Sequence, residues 1–277
     1  MKKIILFVLA LLLLVSLTAC KEETKPSASP TETAGTSESP SPTIDNTTPP
    51  PADVEIGEAA FAETYEFEAG DGVVRGSVDL AYPTVTSDVY PEGARLLSEH
   101  FENEMDSRKE GFVTDLQLLA DGGQPPDIPF QSELTVTFRV ESNRNGFVSF
   151  RLITERYAGG QHSVVNFEGL SFSLDKATRI SFADLFAVSQ EEAADAVKAL
   201  ILKQMEDNIA AADISPYFAE YPALVDATFA PERFVITEEG LRFFFDVYDI
   251  APYSSGVPEF LVPFADLGEV INPEILP

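Results

Sequence analysis

The chain has 277 residues, with 46 acidic against 18 basic side chains and a formal charge of −28. Its single cysteine excludes an intramolecular disulfide, and its two histidines, His100 and His162, form no His/Glu pattern at the helical spacing that would hold zinc. A surface this acidic repels nucleic acid and anionic lipid and speeds encounter with basic partners, although solubility alone also accounts for it.

In chain order, Lys2 and Lys3 precede an unbroken apolar run from Ile4 to Val15, the charged-then-apolar layout of a secretory signal. Leu17-Thr18-Ala19-Cys20 follows, and this tetrad resembles a bacterial lipobox. The resemblance implies a signal peptide over residues 1–19, cleavage before Cys20, and a diacylglycerol on the Cys20 sulfur. The protein is then expected to be extracytoplasmic, anchored through that lipid to the outer face of a bacterial membrane. A plain signal that happens to contain a cysteine is the alternative. Residues 20–54 read as the lipidated Cys20 and a Ser/Thr/Pro stalk ending in Pro49-Pro50-Pro51. Such a segment has too little apolar surface to offset the entropy of ordering. As a tether it has a typical reach of about 30 Å. With the two signal lysines and a stalk of two lysines and six acids set aside, −26 remains on the folded part.

Residues 55–277 suffice for one large domain or two small ones. Val73 to Tyr82 predicts a strand stopped by Pro83. Pro91 then opens a helix to about Gly111, with Ala94, Leu97, Phe101 and Met105 on one face and His100 and Glu104 off it. Leu134, Val136, Phe138 and Val140 alternate with polar residues, and Asn145-Gly146 turns the chain into Val148, Phe150 and Leu152, which predicts a hairpin. Leu170, Phe172 and Leu174 form a further strand, and Ile180 to Phe186 is a short apolar stretch. A helix from Gln190 to Asn208 presents Val197, Ile201 and Met205. A second hairpin then joins Phe234–Ile236 to Leu241–Val247 through Glu238-Glu239-Gly240, and Ala265 to Ile271 suggests a closing helix. The fold class expected is α+β: antiparallel sheets with helices packed on one face. Two similar strand–helix–hairpin units are expected, an N-terminal one over 55–160 and a C-terminal one over 161–277.

Two blocks carry a family resemblance. One is Tyr157-Ala158-Gly159-Gly160-Gln161-His162, followed by Phe172-Ser173-Leu174-Asp175 and Ser181-Phe182-Ala183-Asp184-Leu185-Phe186. The other is Tyr248-Asp249-Ile250-Ala251-Pro252-Tyr253-Ser254-Ser255-Gly256, followed by Phe260-Leu261-Val262-Pro263-Phe264-Ala265-Asp266-Leu267. Together they resemble the RsiV-like extracellular domain. That domain occurs in an anti-sigma factor that senses lysozyme and in front of a peptidoglycan deacetylase. Gln161 stands where the family more often has a small residue, and Ser163 where Gly is common. The cytoplasmic segment, transmembrane helix and deacetylase domain of those proteins have no counterpart here. The resemblance therefore implies a non-enzymatic binding module for a basic protein such as lysozyme, or for a cell-wall component.

The candidate ligand-binding residues are Tyr157, Gly159, Gly160, Gln161 and His162 in the first block and Tyr248, Tyr253 and Gly256 in the second. Two adjacent glycines permit conformations and close approaches closed to other residues. His162 is then either a hydrogen-bond donor or base, or simply a brace on neighbouring backbone. Tyr248 and Tyr253 are either an adaptable contact surface or braces of their own loop. Phe243, Phe244 and Phe245 read as packing on both faces of a covered strand. Asp175, Asp184, Asp246 and Asp249 lack the ligand spacing of a calcium loop, so no metal and no cofactor are expected. No nucleophile elbow or phosphate loop is present, and no catalytic residue is assigned. The rival readings are a peptidoglycan hydrolase or deacetylase centred on His162, and a structural or assembly partner in the envelope.

Overall fold

A computed structural model describes residues 54–70, 72–122, 130–212 and 214–273. The signal, Cys20 and the stalk to Asp53 lie outside them. Two strands, β1 (Glu55–Ala69) and β2 (Gly72–Thr86), pair antiparallel along their whole length. The sequence does not reveal β1, because its inward residues Ile56, Phe61, Tyr65 and Phe67 are unevenly spaced and glutamates stand between them. Val54, expected as the last stalk residue, is buried in the first core, and its carbonyl accepts a hydrogen bond from the Asn143 amide at 3.1 Å.

Helix α1 (Pro91–Asp121) opens with its proline in the first turn, where a missing N–H costs nothing. It runs ten residues past the expected end at Gly111. Phe112, Leu116 and Ala120 continue the buried stripe of Ala94, Leu97, Phe101 and Met105, and that burial outweighs the roughly 1 kcal/mol an interior glycine costs. At about 46 Å the helix is long enough to carry the chain back along β2. Consequently β3 (Phe130–Arg144) pairs with β2 in parallel, Val74 opposite Phe130 through Leu80 opposite Val136. The expected α+β arrangement of antiparallel sheets thus contains one parallel pairing, which a crossover of helical length permits and a tight turn cannot.

The hairpin of β3 with β4 (Phe147–Tyr157) forms as expected, turning on Asn145 and Gly146 at φ 52° and 74°. A bulge between Val140 and Ser142 ends the alternation, leaving Val140 exposed and Ser142 buried. β5 (Val164–Ser173) and the two-residue β6 (Thr178–Arg179) complete a six-stranded sheet in the order β1 to β6. The boundary expected between 160 and 161 falls in the β4–β5 loop of this sheet, and Leu170, Phe172 and Leu174 pack in the first core.

The second core gathers around Phe182, whose ring meets those of Phe186, Phe229, Phe234 and Phe243 at centroid distances of 4.6–6.4 Å. Helix α2 (Gln190–Ala211) is capped by Ser189, which accepts the Glu192 N–H, and buries Val197, Ile201 and Met205 as expected. After α3 (Tyr221–Thr228), the strands β7 (Phe234–Ile236), β8 (Gly240–Phe244) and β9 (Glu259–Pro263) form a separate antiparallel sheet. The two strand–helix–hairpin runs thus differ in pairing: β3 joins β2 across α1, whereas β7 opens a new sheet after α2. The expected closing helix is α4 (Phe264–Leu267), shortened because Gly268 turns out at φ 55°.

Three contacts lock the sheets together. Gly169 of β5 lies so close to β7 that a Cβ there would sit 1.8 Å from the Phe234 carbonyl oxygen. The Ser171 hydroxyl accepts the Ile236 N–H at 3.0 Å and a bond from Ser149 at 2.9 Å. Arg151, with 8% of its side chain exposed, is paired with Glu141 and, at 2.8 Å, with Glu259 of β9. Its guanidinium lies 5.2 Å from the Phe167 ring and 5.3 Å from Phe244. Phe243 and Phe245 turn into the second core while Phe244 faces Phe167, so the triplet packs on both sides of its strand.

Candidate binding site

Fixing β5 against the second sheet brings two loops together, residues 158–163 between β4 and β5 and residues 246–258 between β8 and β9. They contain every candidate binding residue except Tyr157, which closes β4.

In the first loop Gly159 and Gly160 adopt φ of 83° and 109°, conformations that only glycine takes without strain. The Tyr157 hydroxyl donates to the Gly160 carbonyl at 3.1 Å and so braces the turn. Gln161 and His162 are exposed beyond it. In the second loop Asp246 is held by Arg233 at 2.5 Å, and its N–H donates to Asp249 Oδ2 at 2.8 Å. Burial raises the Asp249 carboxyl above its ordinary range; the Asp246 N–H opposes this and the Asp246 carboxylate adds to it. This knot holds Tyr248 between the two aspartates at φ 73°, a left-handed conformation that costs a bulky residue about 1–3 kcal/mol. The result is a phenol turned outward, 54% exposed. Tyr253 begins a single 3₁₀ turn, Tyr253–Ser255, which Gly256 closes at φ 74°; the Gly256 N–H returns to the Tyr253 carbonyl and the Ser255 hydroxyl donates to Pro216 O.

The loops meet through aromatic rings. His162 stacks on Tyr253 with centroids 3.8 Å apart and planes 21° from parallel. One carbonyl fixes both: Ser163 O accepts from the Tyr253 hydroxyl at 2.8 Å and from His162 Nδ1 at 3.2 Å. With Nδ1 donating, Nε2 is the acceptor, and the Tyr248 hydroxyl lies 3.4 Å from it. Tyr248 and Tyr253 are themselves 5.9 Å apart. The half-buried Tyr253 thus supports the exposed His162 and Tyr248, and the three rings need little further ordering on binding, since each has only two rotatable side-chain bonds.

Tyr253 and His162 brace the loops, and Tyr248 faces outward. Cys20 lies outside the described residues. The four aspartates do not gather, for Asp184 accepts the Ser181 N–H and hydroxyl while Asp246 pairs with Arg233, and no three His, Cys, Asp or Glu side chains among the described residues are placed to hold a metal ion. Sequence reasoning misses the Ser163 carbonyl and the Arg233–Asp246 tie; no residue-type signal marks a backbone oxygen, and Arg233 lies far outside both blocks. No helix among the described residues is long and apolar enough to cross a membrane.

Comparison with known proteins agrees with this architecture. No curated protein matches the chain. A DUF3298 family protein of Pseudomonas aeruginosa PAO1 has a similar fold, with a TM-score of 0.52 and 19% identity over 82% of this chain and 99% of that one. A member of the same family from Bacteroides fragilis NCTC 9343 has a TM-score of 0.53 and 18% identity over 79% of this chain and 94% of that one. Residues 183–265, from the 3₁₀ turn before α2 into α4 and including Tyr248 and Tyr253, match the family described as "Protein of unknown function (DUF3298)".

Proposed function

We propose that this protein is a non-enzymatic binding module, lipid-anchored through Cys20 outside a bacterial membrane, and that the His162–Tyr253–Tyr248 face receives a basic protein ligand. The observation that carries the reading is the assembly of that face from two separate loops, with Tyr248 held outward on a strained backbone. Strain of this kind persists only where the surroundings enforce it, and it accompanies functional sites. An exposed tyrosine such as Tyr248 supplies contact area at little entropic cost. The −26 charge left after signal and stalk supports a basic partner, because complementary potentials raise association rates. The resemblance to the RsiV-like domain names lysozyme-class muramidases as the first partner to test. Both His162 nitrogens have partners within the fold and neither faces a carboxylate, which favours a positioning role over general-base chemistry.

Titration calorimetry of the domain with a basic lysozyme tests the proposal. Saturable binding is expected, and Tyr248→Ala should weaken it by about 2 kcal/mol, roughly thirtyfold, as for a central aromatic contact. Raising salt should slow association more than it speeds dissociation. Absence of binding at any salt concentration removes this partner, and peptidoglycan turnover abolished by His162→Ala would replace the binding reading with an enzymatic one.

A further inference from the structure

We infer a second ligand site, independent of the aromatic face: a cleft between α1, β5 and the start of β7 that takes a small organic carboxylate with an apolar body, clasped between His100 and Arg179. The cleft encloses about 260 Å³, just under the roughly 300–1,000 Å³ of pockets for drug-sized ligands, so its occupant is small. Its floor is apolar, made by Phe101, Leu152 and Leu170. Its polar rim is mixed, but the acids on it are already engaged. Arg108 bonds Glu168 at 2.5 Å and Glu104 at 3.0 Å, and the Glu232 carboxylate accepts the Phe182 N–H at 3.1 and 3.3 Å. Arg233, on the same rim, is committed to Asp246.

Among the described residues the Arg179 guanidinium bonds only the Gly169 carbonyl, at 3.3 Å, and forms no ion pair. His100 has a single contact, edge-on to the Phe101 ring. Three carboxylates, Glu104, Glu168 and Glu232, also line the cleft, and Arg179 forms an ion pair with none of them. A planar guanidinium with most of its donors free matches a carboxylate in two-point geometry, and His100, also on the lining, supplies another donor. An aliphatic or aromatic body would lie on the apolar floor. Neither group belongs to either loop of the aromatic face, so the two sites stand or fall separately.

The probe is N-acetyl-L-leucine, with its uncharged amide and inorganic phosphate as comparisons, titrated into the domain and followed by amide chemical shifts. The acid is expected to bind with a Kd on the order of 1 mM and to shift resonances of β5, β6 and the middle of α1. The amide and phosphate should each bind at least tenfold more weakly. Arg179→Gln, a change at an exposed two-residue strand, should weaken the acid at least tenfold while leaving the thermal unfolding midpoint and lysozyme affinity unchanged. The inference is overturned by any of three results: no saturable response to the acid up to about 10 mM, equal binding of acid and amide or of acid and phosphate, or undiminished binding by Arg179→Gln.

Discussion

Replacing Arg151 by alanine is expected to lower the unfolding free energy by about 3–5 kcal/mol, the range for breaking one side of a buried ion pair. Arg151 is almost fully buried between two sheets, and its removal strands Glu141, whose side chain is 13% exposed. Glu259 is better placed, for it retains Arg242 at 3.4 Å and is 35% exposed. Most of the loss therefore comes from one orphaned carboxylate. The double variant Arg151→Met with Glu141→Leu should recover the greater part of it, because apolar replacements of similar volume often match a buried pair. Urea unfolding at constant m-value separates the cases. A loss below about 1 kcal/mol for the single variant would place the network with surface bridges instead.

Gly169→Ala is expected to destabilise by roughly 3 kcal/mol or more, the upper end for overpacking, because the clash is between backbone and backbone and no side chain can rotate away. The added methyl would lie 1.8 Å from Phe234 O and 2.4 Å from its carbon, so β5 and β7 must separate. Their separation would also lengthen the Ser171–Ile236 bond. Gly111→Ala is the matched control. That glycine is an exposed position inside α1 with nothing within 4 Å of its added Cβ, and alanine there should stabilise by about 0.5–1 kcal/mol. Opposite signs for one chemical change, read as denaturation midpoints, would establish that the sheet junction and not glycine content sets the effect. Equal signs would contradict the close approach.

Much of the fold is legible in the residues because its elements bury one regular face. The stripe Ala94–Leu97–Phe101–Met105 and the alternation Leu134–Val136–Phe138 each match their element's period. β1 escapes because Glu55, Glu58, Glu63, Glu66 and Glu68 sit among its inward residues, as an edge strand tolerates and a buried one does not. The parallel pairing of β2 with β3 is hidden for another reason. It depends on where a 31-residue helix delivers the chain, and local pattern carries no such distance.

The site divides in the same way. Its residues are identifiable one block at a time from glycines, tyrosines and a histidine in loops. Their convergence is not, since it follows from Gly169, Ser171 and Arg151 docking β5 onto the second sheet, contacts between residues up to 108 positions apart. The outward turn of Tyr248 depends on a left-handed φ that no residue other than glycine advertises. The cleft holding Arg179 and His100 is the least legible of all, because its lining comes from five separate segments, residues 100–104, 152, 168–170, 179 and 232–233.

The central claim is that residues 158–163 and 246–258 act as one ligand face. Adding a basic lysozyme to isotopically labelled domain and mapping amide shifts tests it directly. Perturbations are expected to concentrate on both loops together, with Tyr248 and His162 among the largest and β1 untouched. Perturbations confined to one loop, or centred on the acidic edge formed by β1, would contradict it.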